Sequence, residues 1–130
     1  MPVDAQSLVA ALHAQIRIGT AKGRLDTAEL IARQVAAECA RWGSEADVCP
    51  VDQRVRHRVL MAQAVRMVRD VVRDLFEASG AGAHLATEPL QRFHRDVHTI
   101  AAHMVFDVEL IAEQSGRLEL ELGLAPSVRV

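Results

Sequence analysis

The sequence predicts an all-α fold, an antiparallel up-and-down four-helix bundle that occupies residues 1–130 as one domain. Three observations carry that expectation. Apolar residues recur at intervals of three and four along four successive segments. Strand signals are missing: aromatic residues make up 3% of the chain, tyrosine is absent, and no run alternates β-branched or aromatic residues with polar ones. The breaks between the segments are short and rich in Gly, Ser and Pro.

The first segment runs from about Asp4 to Arg41, with Asp4 or Ser7 as its cap. Leu8, Leu12, Ile16, Gly19 and Gly23 mark one stripe, and Leu30, Ile31 and Val35 continue it after a drift in phase. Such a helix is about 50 Å long, so it must lie along another helix or another chain. Gly19 and Gly23 each cost about 1 kcal/mol against alanine inside a helix, which points to close approach of another backbone or a ligand. A loop follows from Trp42 to Pro50, with Gly43 suited to the position after a helix end and Pro50 to a new start. The second segment spans about Val51 to Ser79. Val55, Val59, Ala62, Val65, Met67, Val68, Val72, Leu75 and Phe76 form its apolar stripe, with Arg66, Arg69, Asp70, Arg73 and Asp74 mostly opposite. The acids interleaved with those arginines suit a solvated face better than a phosphate site. After the small Ser79-Gly-Ala-Gly-Ala break, Thr87 can cap a third helix that opens with Glu88 and Pro89 and carries Leu90, Phe93, Val97, Ile100, Ala101 and Met104 on one side. A fourth runs from about Asp107, a plausible cap, to Leu122, and Pro126 ends regular structure.

Composition narrows the function classes. Half of the 130 residues are hydrophobic and the formal net charge is -2, which argues against disorder. Fifteen basic residues against seventeen acidic ones, with a pI near 6.3, argue against a nucleic-acid partner. No apolar run is long enough to span a membrane. The opening Met1-Pro-Val-Asp-Ala-Gln has neither a basic region nor a following apolar region, so no signal peptide and a cytoplasmic location are expected. Cys39 and Cys49 are too few for a disulfide framework, and their spacing fits no zinc knuckle; free thiols are expected.

The chemistry concentrates in the third segment. His94 and His98 are four residues apart and share a helix face, whereas His103 is rotated about 140° from His98 on an ideal helix. The pair has the spacing of two metal ligands, and His13 is a candidate third; yet the Glu-x-x-His pattern of di-iron bundles is absent, so no metal site is expected. Arg92 and Asp96 are four apart, with Arg95 beside them: a structural salt bridge, or arginines held to meet an anionic group.

The run from Leu75 to His103 resembles the C-terminal domain of the acyl-CoA dehydrogenase superfamily, and within it the branch that includes flavin-dependent monooxygenases. The resemblance is carried by Ala78-Ser-Gly-Ala, Pro89-Leu-Gln-Arg, Arg95-Asp-Val-His-Thr and the later His103. His13-Ala-Gln-Ile-Arg-Ile-Gly-Thr-Ala-Lys-Gly-Arg-Leu is similar to that domain's first long helix, and Gly116-Arg117 fits its last. The resemblance implies a helical bundle that packs against a β-barrel domain and drives oligomer formation, with a flavin, FAD or FMN, between barrel and bundle. By the same resemblance His103, and next His98, would be catalytic, as a base or in oxygen activation. Arg95, Asp96 and Arg92 would lie near the flavin edge or a subunit contact. The dehydrogenases' glutamate base has no counterpart in Met104-Val-Phe-Asp, so monooxygenase-type chemistry is the closer expectation.

By the same resemblance the chain is expected to correspond to about a third of a family member, with the N-terminal and barrel domains lying outside it. The expectation is therefore a bundle that completes a flavin site only with a partner chain or missing domains and is inactive alone. The alternative is a non-catalytic oligomerisation module derived from that family. Either way a homo-oligomer or a barrel-bearing partner is expected, and the substrate stays open.

Overall fold

A computed structural model describes residues 4–126. The reading of Met1 to Val3 as a leaderless start lies outside the described residues. Four α-helices follow in order: α1 Ala5–Ser44, α2 Val51–Ala78, α3 Pro89–Ala101 and α4 Val108–Glu119. Short 3-10 turns at Ala81–His84 and Met104–Phe106 join the last three. Among the described residues there is no strand, in agreement with the all-α four-helix expectation.

Local chemistry accounts for most helix ends. Asp4 caps α1, accepting from the Ser7 backbone N–H at 2.7 Å, and that bond holds its carboxyl below the usual range. Asp107 caps α4, accepting from the N–H groups of Glu109 and Leu110 at 3.1 Å each. Pro50 sits at the α2 cap position, and Gly80, with φ +71°, turns the chain out of α2. Two expected signals act otherwise. Thr87 does not cap α3, whose N-cap is Glu88 without a side-chain bond. Gly43 stays inside α1, because the helix runs on to Ser44.

The α1–α2 hairpin closes on a seven-residue repeat of small side chains. Ala21, Ala28 and Val35 are the buried residues of α1, and His57, Ala64 and Val71 recur with the same interval on α2. The polar pairs across the seam fix its antiparallel sense. Glu38 near the loop meets Arg56 and His57, while Arg24 further back meets Asp70 at 3.9 Å and Asp74 at 3.4 Å. Asp70 also pairs with Arg69 and Arg73, so the charged flank of α2 is partly turned toward α1.

This seam keeps Val35, and in part Ile31, of the stripe expected for α1 and overturns the rest. Leu8, Leu12, Ile16 and Leu30 are exposed. The physical reason is length and phase. Helix α1 has 40 residues against 28 in α2, so its first three turns overhang, and the alanine series sets the phase of the rest. Gly19 and Gly23 likewise meet nothing: a Cβ at either would have no neighbour within 4 Å. The close approach expected at these glycines is made by Ala21 and Ala28 instead.

The opposite side of α2 holds a second core. Val55, Ala62 and Phe76 are buried there, spaced in multiples of seven, with Ile111 of α4 and Ala83 of the first 3-10 turn also buried. Helices α1, α3 and α4 each pack on α2 and not extensively on one another. The chain reverses between α1 and α2 and again between α2 and α3. Helix α4 then continues beyond the Met104–Phe106 bend. Phe76 touches His94 early in this stretch, and Leu118 and Glu119 border a groove with Val55 and Val59 at its end. After α4 the chain folds back, with Arg117 donating to the Gly123 carbonyl and the buried Gln114 accepting from Ala125 N–H.

Glu38 clasps the hairpin near its loop. Gln34, His57 and Arg56 all donate to it and hold its pKa down to about 2 from 4.5. Because the folded value is depressed, the clasp is fully present above about pH 4.5 and is lost as pH falls through 2. Melting curves between pH 6 and pH 2 are expected to show this acid loss in the native chain and less of it in Glu38→Gln. Core packing has a separate test. Ile111→Ala, at a side chain 1% exposed, is expected to cost about 2–5 kcal/mol in urea denaturation, while Leu30→Ala changes stability by less than about 0.5 kcal/mol.

Candidate functional site

Helix α3 and the bend after it carry the expected catalytic and cofactor-binding residues, and the structure divides the residues there into three groups. The inward face is a column of rings. His84 meets Phe76 edge-on at 4.6 Å between centroids, His94 stacks on Phe76 at 4.2 Å, and His98 follows His94 at 4.1 Å. The four-residue spacing of His94 and His98 does what a helix dictates and aligns them one above the other. Phe76 of α2 anchors the column, because it is buried under α3.

The tautomers follow from the backbone partners. His98 Nδ1 lies 2.7 Å from the His94 carbonyl, which can only accept, so Nδ1 carries the proton and Nε2 keeps its lone pair. His103 is framed the other way. It caps the 3-10 turn, its Nδ1 accepting from Val105 N–H at 3.2 Å, so the neutral ring presents Nε2–H as a donor. His98 is thus a half-buried base and His103 an exposed hydrogen-bond donor. Burial, then the neighbouring His98 and His84, push the His94 imidazole below its ordinary value.

The outward face of α3 holds the charges. Arg95 donates to Asp96 Oδ1 through Nε at 3.0 Å and Nη2 at 2.9 Å, and Arg92 Nε lies 3.6 Å from Asp96 Oδ2. Both arginines are largely exposed and Asp96 is half-exposed. Such an ion pair contributes little to stability, and its guanidinium edges stay available to an anion. The structure therefore brings Arg92, Arg95 and Asp96 together, with Arg92 and Asp96 turned from His94 and His98 and Arg95 one turn before His98 on the flank between them. His103 belongs to neither face. It borders an open groove of about 490 Å³ with Arg66, Arg69, Met104, Phe106 and Glu109.

Three further features escaped the sequence reading. His84 and Phe76 join the imidazole column only because the Gly80 turn folds the 3-10 segment back onto α2. His57, 7% exposed, is gripped by Glu38 across the hairpin. Its seven-residue relation to Ala64 and Val71 was the available signal. The apolar side chains Phe93, Ile100 and Met104 are 61%, 51% and 71% exposed, although the sequence pattern placed them on a packed side. His13 lines a separate groove between α1 and α2 with Arg17, Arg24, Asp74 and Glu77. Among the described residues no group of three His, Cys, Asp or Glu side chains could hold a metal ion, so His13, His94 and His98 form no such set. No helix among them is long and apolar enough to cross a membrane.

Comparison with known proteins agrees with this architecture. Residues 3–108 match the family model described as acyl-CoA dehydrogenase, C-terminal domain. The chain is 27% identical over 113 residues to a pigment production hydroxylase from Rhodococcus sp., covering 86% of this chain and 28% of the relative. It is similar to the crystal structure of the HsaA monooxygenase from M. tuberculosis, with a TM-score of 0.77 and 28% identity over 86% of this chain and 29% of that one. XiaF from Streptomyces sp., solved in complex with FADH2 and glycerol, gives a TM-score of 0.77 and 28% identity over 87% of this chain and 28% of its own. The chain thus spans less than a third of the length of each of these relatives.

Imidazole titration by NMR tests the ring column. His94 is expected to titrate below 6.5 and to move back up in His98→Gln, which removes the neighbouring imidazole charge. The stability tied to neutral His94 is fully present above pH 6.5 and falls as pH drops through the lower folded value, so this loss begins at higher pH than that of Glu38.

Proposed function

Since this chain belongs to the acyl-CoA dehydrogenase C-terminal domain family, we propose that it is the C-terminal bundle of a flavin-dependent oxidoreductase of the monooxygenase type. In this reading a barrel-bearing partner chain or domain completes the flavin site. The observation that carries the proposal is the paired coverage: 86–87% of this chain aligns with monooxygenases, yet accounts for only 28–29% of their length. The exposed row of Phe93, Ile100 and Met104 supports it. An amphipathic helix that buries none of its residues within its own chain presents an apolar face suited to a partner.

The residues present fit one wall of a flavin site. His103, Arg66 and Arg69 border an open groove, and Arg92 and Arg95 offer guanidinium edges on the adjoining helix. A bound flavin, FAD or FMN, supplies the redox chemistry. The chain's own part is to orient and to manage protons. His103 offers Nε2–H as a donor to developing negative charge, and His98 Nε2 is the unprotonated nitrogen that can hold a proton. Arg95, steadied by Asp96, gives a fixed positive charge for a flavin edge or a neighbouring subunit. Asp107 is committed to capping α4, and Glu109 is the further carboxylate that borders the His103 groove.

Recovery of the tagged full chain from its source cells tests this reading. The expected product is an assembly with a second polypeptide and bound flavin, whose hydroxylase turnover falls by about 10²–10⁴ in His103→Gln. Arg95→Ala is expected to weaken flavin retention. A flavin-free homo-oligomer, indifferent to both substitutions, would overturn the proposal and leave an oligomerisation module.

A further inference from the structure

At the loop end of the hairpin, away from α3, three reactive groups from two helices stand in line. Cys39 Sγ lies 3.8 Å from His57 Nδ1, and the other nitrogen of that ring, Nε2, bonds Glu38. Cys39 is an exposed free thiol, while the imidazole behind it is 7% exposed and held by the hairpin core. Glu38 stays ionised at any pH near neutrality, because Gln34, His57 and Arg56 all donate to it. A carboxylate can only accept, so it keeps the proton of neutral His57 on Nε2 and turns the Nδ1 lone pair toward Cys39. The order is nucleophile, base and orienting carboxylate, the arrangement that activates a weak nucleophile.

Packing alone does not require this order. The clasp between the helices is made by Glu38 with His57 and Arg56 and needs no thiol. Glu38 of α1 and Arg56 of α2 are the charged groups that meet the clasp, and they pair with each other at 2.8 Å, so Arg56 does not compete for the thiol. The second thiol, Cys49, is an internal control. Its thiol bonds its neighbour's carbonyl, Pro50 O, at 3.8 Å, and among the described residues it is not paired with an imidazole as Cys39 is.

We propose that Cys39, with His57 as its base and Glu38 as the positioning residue, is a nucleophilic thiol that forms mixed disulfides with small-molecule disulfides. The Cys39 proton passes to His57 Nδ1. The thiolate attacks one sulfur of the disulfide, a new S–S bond forms to Cys39, and the old S–S bond breaks. The released thiolate takes the proton from His57 and leaves as a thiol, so Cys39 is oxidised and half of the small disulfide is reduced. This modification site is independent of the flavin reading and persists whether or not that reading holds.

The test uses the full chain with one cysteine at a time, Cys49→Ser or Cys39→Ser, and an aromatic nitrobenzoate disulfide whose released thiolate is coloured. Cys39 is expected to react at neutral pH about tenfold faster than Cys49. Its rate is expected to flatten toward neutral pH, where that of a simple thiol keeps falling about tenfold per unit. His57→Gln is expected to bring Cys39 to within about twofold of Cys49, with helicity measured to verify folding. Glu38→Gln is expected to remove at least about half of the advantage, and it decides the matter if His57→Gln does not fold. Equal rates and equal pH dependence for the two thiols in the otherwise native chain would overturn the proposal. So would an advantage that survives intact in the folded His57→Gln protein or, where that protein does not fold, in Glu38→Gln.

Discussion

Burial of α2 on two opposite sides is the constraint on which every other position depends. Two residues along a helix turn it by about 200°, so the series His57, Ala64, Val71 and the series Val55, Ala62, Phe76 point in nearly opposite directions. The first receives α1 and the second receives α3 and α4. Since the outer helices touch α2 far more than one another, the molecule is a wall with a layer on each side. The alanines in both series let the helix axes approach, and the few large buried residues, Ile111, Val55, Val71 and Phe76, fill what remains.

That arrangement explains why the candidate site is open. Helix α3 has only α2 beneath it, so one of its faces is covered, one carries the Arg92–Asp96–Arg95 cluster, and the flank with Phe93 and Ile100 meets solvent. The overhang of α1 repeats the pattern with Leu8, Leu12 and Ile16. A bundle meant to stand alone would place such side chains inside, because removing them from water is its main source of stability. Their exposure in two separate places is what a bundle shaped to sit against further structure looks like.

Polar chemistry follows the same two sides. Toward α1, α2 presents His57 to a carboxylate and a thiol; toward α3, it presents Phe76 to a column of imidazoles. The consequences differ. Donors from Gln34, His57 and Arg56 stabilise charge and draw Glu38 far down, whereas burial and neighbouring imidazoles disfavour charge and lower His94. One helix thus sets two acid-sensitive regions with separate pH windows.

Sequence by itself determined the helix count, the Asp4 and Asp107 caps, the family, and the alignment of His94 with His98, because all of these depend on neighbours within about four residues or on a contiguous motif. It found Val35 but misplaced the face of α1 before it, since a stripe of Leu and Ile outweighs alanines in any hydropathy pattern, while the partner helix is too short to reach Leu8 and Leu12 and closes on Ala21 and Ala28 out of phase with Leu30. The exposure of Phe93, Ile100 and Met104 was illegible for the same reason: periodicity gives an apolar face but not what covers it. Tertiary structure alone decided the pairings of Glu38 with His57, Cys39 with His57 and Phe76 with both His84 and His94. Those contacts join residues that local spacing does not relate. They exist because the hairpin register and the Gly80 turn bring distant segments together, and with them come the tautomers that give each histidine its chemistry.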